Sequence, residues 1–475
     1  MSNATNVRGI VPGWDQIAQG IRDQGIARLQ RYVQQGSVSR GAPRPIPLEI
    51  IDMAGLVMED LAGIPGSTEQ FVATASYPIV TATVPASVDS ANAPWLLLYN
   101  MGDTRPLGDD KEWLVPPLSC EVVEVEGQRR IIGRGVFNSK SGLAGMIDVL
   151  ELLQTTGNLP VNVEVIVDFE EEVRVDAVTE VLSGQRERYA KCSAALMPLC
   201  TEGFGAIWLG YKGVAVARVT LRENRSEVHS GMQSILKAPR LRHVLSKFLA
   251  CIEDDTRHMV RLPALYGEVA ENDRELARQM AGSMDMEAAA CRWGVEVSEL
   301  RSHDVLGTIL DESRSHINIL SWGSEHCEGT VPTRAYAELE FRISPSVTLT
   351  VAQIEDEVRR YLQTQVAALM EDVTLESVEF VAGTGEPFRS AEPDDPFVAT
   401  LQRSYNAFGV EIPLVPTCFG SVPEGAVIRR ELDIPFLVGG LGVGDRAHVP
   451  NEYILAGAYE RFKEWLVVFL HQFAH

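Results

Sequence analysis

The sequence predicts an α/β protein, in which a mostly parallel sheet forms a catalytic-type domain that carries an inserted smaller α+β domain. Three observations predict this fold. Apolar runs of strand length alternate with helical patterns up to about residue 212, the strands become half-polar after Gly213, and βα alternation returns after about Glu386. Strands that are apolar throughout are typical of a parallel sheet covered on both faces, whereas alternating strands are typical of an antiparallel sheet with one wet face.

The first part of the chain opens with helical patterns and continues with buried strands. We expect one amphipathic helix over 14–36 that ends at Gly36, and a second helix at about 47–62. Later patterns predict strands at 77–84, 94–100 and 161–169. They also predict a helix at 141–157, before the third of these strands.

The second part alternates antiparallel strands with helices before the chain returns to the first sheet. Strands are predicted at 214–222, 335–343 and 373–381, and helices at 240–254 and 350–366. The stretch 253–312 is charged and largely helical. A buried strand at 435–440 and a helix at 453–474 close the chain. The expected domains are therefore 1–212 with 385–475, and 213–384.

Composition and charge exclude several classes of protein. The 475 residues contain 42 Lys+Arg and 65 Asp+Glu, a formal net charge of −23, which disfavours binding to nucleic acid or an anionic membrane. The seven cysteines show no CxxC pair and are expected to be free thiols in a reducing compartment. No secretory signal and no apolar run of about 18 residues is present, so we expect a cytoplasmic protein.

Four polar clusters follow predicted strands or turns, at the positions where open α/β sheets bind ligands. They contain Asp103, then Asn138 and Lys140 between Gly133 and Gly142, then Glu170 to Glu172, and finally His448 and Glu452. Taken singly, three glutamates after a strand usually start a solvated helix, and a histidine in a loop usually lies on the surface. Four such clusters in this order indicate a functional site.

With these motifs the sequence resembles the co-catalytic zinc exopeptidases and amidohydrolases, a family that includes glutamate carboxypeptidase, aminoacylase, carnosine dipeptidase and succinyl-diaminopimelate desuccinylase. The resemblance extends from about residue 45 to the end. The matching motifs are Met101-Gly102-Asp103, Gly133 to Gly142, Glu171-Glu172, His229-Ser230-Gly231, Asn318-Ile319, Arg342 to Pro345, Gly420-Ser421 and His448 to Glu452.

The resemblance implies that 1–212 and 385–475 form the catalytic domain and that 213–384 form a lid that also makes a homodimer. It implies catalytic roles for Glu171 as general base, for His229 as oxyanion support in the neighbouring subunit, and for Asp103. On the substrate side it implies binding through Arg342, Asn318, Gly420 and Ser421.

The metal side departs from the family pattern. The family's first histidine ligand aligns with Met101, and its bridging aspartate aligns with Asn138. The other acidic ligand should fall at Pro198 to Cys200, where there is no carboxylate, although Cys200 could supply a thiolate. A neutral amide cannot bridge two Zn²⁺ ions as a carboxylate does, and a thioether suits copper(I) better than zinc. Glu172 and His448 remain of that ligand set, and with the Asn138 oxygen they predict a weak site for one divalent metal, zinc by preference, or no metal.

The sequence thus predicts an enzyme that acts on an amide, ester or acyl bond of a small amino-acid-like or peptide substrate. It would hydrolyse with at most one metal, or transfer or condense acyl groups with none. Two alternatives stay open, namely a non-catalytic binding or regulatory protein of the same fold, and an ordinary zinc dipeptidase whose ligands align differently.

Overall fold

The computed structural model divides into two compact units. The described residues are 3–40, 45–173, 176–202, 206–231, 241–252, 260–284, 286–287, 290, 296–302, 304–324, 329–369, 373–380, 384–418 and 420–475. The first unit comprises Met1–Trp208, Ser390–Leu414 and Val427–His475, and the second comprises Leu209–Arg389 and Val415–Ala426.

The short segment Val415–Ala426 belongs to the second unit, whereas the domain bounds predicted from the sequence put it in the first domain. Backbone hydrogen bonds explain the difference: Leu209 N–H donates to the Val415 carbonyl at 2.9 Å, and Cys418 N–H donates to the Gly210 carbonyl at 2.8 Å. Because these bonds form between residues distant in sequence, no local pattern predicts them.

A six-stranded sheet organises the first unit. Its order is Thr68–Val72, Ile79–Val84, Asn162–Asp168, Trp95–Met101, Ala194–Pro198 and Phe436–Gly439. The last four strands are parallel, and the first two are antiparallel additions at one edge. Strands Asn162–Asp168 and Ala194–Pro198 are buried along their whole length. The predicted mostly parallel sheet is confirmed.

Helices and a smaller sheet complete the first unit. The helices are Asn3–Ile10, Trp14–Gln24, Ala27–Gln35, Leu48–Ala62, Ser141–Thr155, Asp176–Gly184, Arg186–Tyr189, Pro396–Asn406 and Ala456–Phe473, with a 3₁₀ turn at Asp110–Glu112. A further helix, Pro423–Leu432, contains the boundary between the units. The smaller sheet has the order Glu121–Val125, Gln128–Ile132, Tyr453–Leu455, Val443–Asp445 and Thr201–Glu202. Two more short strands are Ile207–Trp208, which ends at a unit boundary, and Leu414–Val415, which contains one.

The second unit is built on a four-stranded antiparallel sheet. Its order is His316–Ser324, Arg334–Ile343, Gly213–Glu223 and Val373–Phe380. Burial alternates along Arg334–Ile343, and the buried side chains join those of helices Leu241–Ile252 and Val351–Leu369 in one apolar core. The inserted α+β domain is therefore confirmed.

Short elements fill the rest of the described second unit. They are helices Glu271–Ser283, Val297–Ser302 and Val305–Glu312, the 3₁₀ turn Pro263–Leu265, and strands Gly210–Tyr211, Val228–His229, Thr330–Val331 and Phe388–Arg389. Parts of the predicted elements at 240–254, 253–312 and 373–381 lie outside the described residues.

Two predicted helices are wrong in their extent. The single helix over 14–36 is two helices, because Gly25 adopts φ 56° and ψ −132°, a conformation that ends the first helix after Gln24. The helix predicted from residue 453 begins at Ala456, because Tyr453–Leu455 pairs as a strand with Gln128–Ile132. No helix in the described ranges has the length and apolar content of a membrane span.

Candidate active site

The ends of two neighbouring parallel strands bring the first and third sequence clusters together. Met101 and Asp168 are paired residues at the carboxyl ends of their strands. Beyond these ends, the Asp103 Oδ2 atom accepts the backbone N–H of Glu172 at 3.1 Å. Register and hydrogen bond together place Asp103 beside the Glu171–Glu172 turn. Met101, at the position of the family's first histidine, is 1% exposed.

Glu452 connects the other two clusters. Its carboxylate accepts backbone N–H groups from Gly135 at 3.1 Å, from Phe137 at 3.0 Å and from Asn138 at 2.8 Å. It also forms an ion pair with Arg134 at 2.9 Å, and both side chains are almost fully buried. These contacts fix the irregular turn that carries Asn138.

Arg134 extends the same network to the His448 loop. Its guanidinium donates to the His448 carbonyl at 3.2 Å and to the Val449 carbonyl at 3.4 Å. His448 has φ 66°, in the left-handed region that few non-glycine residues adopt. The hydrogen bonds from Arg134 hold this loop in that conformation, so Asn138 and His448 are positioned by one buried ion pair.

Three side chains converge on the carboxylate of Glu172, which is itself almost fully buried. The Glu172 Oε1 atom lies 3.0 Å from Asn138 Nδ2 and 3.1 Å from His448 Nε2. Asn138 Nδ2 and His448 Nε2 are 2.8 Å apart. On the other side, Arg105 Nε donates to Glu172 Oε2 at 2.7 Å. We call Arg105, Asn138, Glu172 and His448 the Glu172 centre.

Arg105 is the residue of this centre that the sequence analysis missed. It lies two residues after Asp103, in a Thr-Arg-Pro segment that follows a strand end. That position was the available signal, because side chains just beyond the carboxyl end of a parallel strand face the ligand-binding edge of the sheet.

Neighbouring carboxylates change the protonation of the candidate catalytic acids. Burial raises the pKa of Glu171 well above its usual range, and the charges of Glu172, Asp103 and Asp168 raise it further, whereas Arg105 lowers it. Glu171 is half-buried. Burial, and then the charge of Glu172, raise the pKa of Asp103 to about 7. Both groups therefore retain protons at a pH where exposed carboxyls are ionised.

The donor set does not fit a pair of divalent cations. Within the described residues no cluster of three or more His, Cys, Asp or Glu side chains is arranged to hold a metal ion. Glu172 is the one carboxylate of the Glu172 centre, and an arginine already pairs with it. Turning the Asn138 amide over would present its oxygen, which is a neutral donor. The three predicted ligands are close together, and their metal binding stays a prediction.

Neither Cys200, the candidate thiolate ligand, nor Lys140, from the Gly133 to Gly142 motif, belongs to the Glu172 centre. Cys200 is fully buried, and burial raises its pKa to about 12, so the thiolate that a metal would need is not the resting form. Lys140 is also buried, and its Nζ donates to the Tyr32 carbonyl at 2.7 Å. That bond supports a structural role for Lys140.

The second unit brings two predicted substrate anchors to one carboxylate. Asn318 Nδ2 donates to Glu340 at 2.8 Å, and Arg342 donates to the other oxygen of Glu340 at 2.7 Å. Asn318 and Glu340 are paired residues on adjacent antiparallel strands. Glu340 was missed because its strand reads as ordinary alternation. An anionic ligand at Arg342 must share the guanidinium with this glutamate.

The other predicted residues of the second unit have local partners. His229 is exposed on the two-residue strand Val228–His229, and its Nδ1 accepts the Gly231 N–H at 3.1 Å. Gly420 N–H donates to the Cys418 sulfur at 3.3 Å. The Ser421 hydroxyl is enclosed and has no hydrogen-bond partner among the described residues. Within that same set, no hydrogen bond joins His229 to Asn318 or Arg342.

Comparison with known proteins gives a family match over most of the chain. The sequence profile of peptidase family M20/M25/M40 matches residues 97–472. Succinyl-diaminopimelate desuccinylase 2 from Shewanella loihica is 31% identical over 148 residues, 30% of this chain and 38% of that protein. Beta-Ala-His dipeptidase from Homo sapiens is 23% identical over 288 residues, 56% of this chain and 52% of that protein. The aligned parts thus span about half or less of these curated relatives.

Solved structures share the fold at low sequence identity. Human carnosine dipeptidase 1 superposes with a TM-score of 0.78 at 19% identity, covering 97% of this chain and 99% of that chain. The metallo-carboxypeptidase Sso-CP2 from Sulfolobus solfataricus superposes with a TM-score of 0.76 at 22% identity, covering 94% and 98%. At such identities these structures establish the architecture. The chemistry must be inferred from the residues of this chain.

Proposed function

This chain belongs to peptidase family M20/M25/M40, and from that premise we propose that it acts on an amide, ester or acyl bond of a small amino-acid-like or peptide substrate without a pair of zinc ions. The curated relatives are named for dipeptide and N-succinyl substrates, which are of this class. The observation that carries the proposal is the retention of Glu171 next to a Glu172 carboxylate that the protein's own side chains already occupy.

Glu171 is the proposed acid–base group. Burial raises its pKa, so it exchanges a proton at a higher pH than an exposed glutamate would. In its ionised form it takes the proton from an attacking water or amine, and it then returns that proton to the leaving nitrogen or oxygen. An amine that attacks an activated ester needs no metal-bound hydroxide, which favours acyl transfer or condensation over amide hydrolysis.

The remaining predicted residues divide between support and substrate binding. Asp103 holds the backbone of Glu172 and thereby the turn that presents Glu171. Arg342 and Asn318 are proposed to bind the carboxylate and backbone of the substrate, with Gly420 and Ser421 on the substrate side and His229 as oxyanion support. A single zinc ion on Glu172, His448 and Asn138 is the largest metal complement proposed. The homodimer and the cytoplasmic location stay predictions from the sequence.

The proposed function is tested by removing the acid–base group without changing its size. The parent protein, E171Q and the control E187Q, an exposed glutamate on helix Arg186–Tyr189, are compared on dipeptides, N-acetyl and N-succinyl amino acids, and amino-acid esters with amine acceptors. General acid–base catalysis contributes about 10²–10⁴-fold, so we expect E171Q to lose at least about 100-fold in kcat and E187Q to lose none. Equal rates for E171Q and the parent would reject the role of Glu171.

One observation favours a second candidate, a non-catalytic binding protein. The Glu172 carboxylate already pairs with Arg105, and Met101 is buried, which disfavours a metal-bound nucleophile at these positions. If the protein only binds its ligand, we expect that it turns over no compound of the panel and that calorimetry detects binding of N-acyl amino acids. We expect R342A to weaken such binding, because it removes the cation proposed to bind the carboxylate.

A further inference from the structure

We propose that Arg105 is the resident cation of the Glu172 centre. Its guanidinium supplies the positive charge that a divalent metal would otherwise supply, and its free N–H groups bind the acyl oxygen of the substrate. The second part of this inference rests on the proposed function, and the first part stands without it.

Both carboxylate oxygens of Glu172 have close partners. Its Oε2 atom is 2.7 Å from Arg105 Nε, and its Oε1 atom is within 3.1 Å of both Asn138 and His448. The side chain of Glu172 is only 2% exposed. A buried carboxylate costs free energy unless a cation or several hydrogen bonds compensate it. Here a protein side chain provides the full compensating charge, and both oxygens are engaged.

Charge then decides whether a metal can compete. Asn138 is a neutral amide, and Glu172 is the one carboxylate among the four side chains of the centre, with Asp103 and Glu171 as its neighbours outside it. Zn²⁺ would have to displace Arg105 or bind beside its positive charge. Repulsion between a guanidinium and a dication a few ångströms away, together with so few anionic donors, opposes binding. The arginine therefore opposes binding of the ion and also neutralises its ligand.

The geometry also leaves Arg105 able to act on a ligand. Its Nε is committed to Glu172, and in the described part of the chain its two terminal NH₂ groups have no hydrogen-bond partner. The side chain is 47% exposed. A planar guanidinium that is anchored on one edge presents fixed donors on the other. Because the pair with Glu172 is neutral overall, a carbonyl oxygen that gains charge during the reaction suits these donors better than a full anion.

Zinc titration tests the first part on the full-length protein. Isothermal calorimetry with zinc chloride compares the parent, R105A, R105K, the double variant R105A/E172Q and the control R186A, which removes one exposed arginine on a short helix. We expect R105A to bind zinc about tenfold or more tightly than the parent, since the repulsion is removed and Glu172 is released. R105K and R186A should bind zinc with the affinity of the parent. The double variant R105A/E172Q should show no gain in zinc affinity.

Two results would overturn the exclusion of metal by Arg105: stoichiometric, submicromolar zinc binding by the parent, or no gain in R105A with circular dichroism unchanged. If R105A does not fold, R105M keeps the apolar stem and replaces it in the comparison.

Activity separates this inference from the proposed function. For any compound of the panel that the parent turns over, R105M should lower kcat more than it raises KM, and R105K should recover part of the loss. An unchanged kcat in R105M would reject the donor role while the proposed function stands. If the parent turns over nothing but R105A gains zinc affinity, the proposed function fails and the cation role of Arg105 is retained.

Discussion

Glu452 is the residue on which the geometry of the Glu172 centre depends most. It is buried, accepts three backbone N–H groups from the turn between Gly135 and Asn138, and pairs with Arg134. Burial raises its pKa, while the hydrogen bonds and Arg134 lower it. One side chain thus sets the position of Asn138 directly and that of His448 through Arg134.

Replacing Glu452 by glutamine should strongly destabilise the protein. E452Q keeps the volume but leaves the Arg134 guanidinium buried without a counter-charge, which costs about 3–5 kcal/mol. Urea unfolding measures the change. The control E275Q breaks an exposed ion pair with Arg278 and should leave the midpoint unchanged. A loss below about 1 kcal/mol for E452Q would show that water or a rearranged loop replaces the pair.

At this scale the sequence predicted which polar residues meet and missed the residues that neutralise them. Asn138, Glu172 and His448 were predicted as one ligand set, and they lie within 3.1 Å of one another. Arg105 was not predicted because its ion pair joins residues far apart in sequence and leaves no local periodicity. Glu340 was not predicted because it continues the ordinary alternation of its strand. The motif therefore indicated the centre but not its electrostatic balance.

Among the elements, the first helical pattern shows how a glycine overrides amphipathic spacing. The buried residues Trp14, Ile17 and Ile21 continue in register with Leu29 and Tyr32, which is why one helix over 14–36 was predicted. Gly25 interrupts it with a conformation that a side chain opposes.

Two glycine-to-alanine changes should shift stability in opposite directions. G25A forces a Cβ into φ 56°, and we expect a loss of about 1–3 kcal/mol. G55A lies on the exposed side of helix Leu48–Ala62 with nothing near the added Cβ, and should gain about 0.5–1 kcal/mol. Thermal denaturation of both variants measures the difference. A gain in G25A would mean that the helices can join into one.

The deeply buried strands were predicted from the sequence, and the exposed strands were not. Strand Asn162–Asp168 is fully buried, and its continuous apolar run identified it. Strands Thr68–Val72 and Glu121–Val125 contain no fully buried residue, and their polar residues hid them. A hydrophobic pattern arises where side chains contact a core, so it does not predict strands that pair at an exposed edge of a sheet.

For the whole molecule, the formal net charge of −23 is the property that the sequence alone settles. Self-repulsion among excess carboxylates opposes the folded state, and salt screens it. The Debye length falls from about 30 Å at 0.01 M salt to about 8 Å at 0.15 M.

We therefore expect the thermal midpoint to rise by a few degrees between these two sodium chloride concentrations, measured by differential scanning fluorimetry. Sucrose at equal osmolality controls for effects other than screening. A midpoint that falls with salt would show that local ion pairs, such as Arg218–Glu338, outweigh the net repulsion.

The Arg105–Glu172 contact also sets a condition on any attempt to engineer a two-metal site into this protein. A histidine introduced at position 101 or an aspartate introduced at position 138 would meet a carboxylate that already pairs with an arginine. We therefore expect neither substitution alone to create a zinc site, and a design would have to replace Arg105 in the same variant.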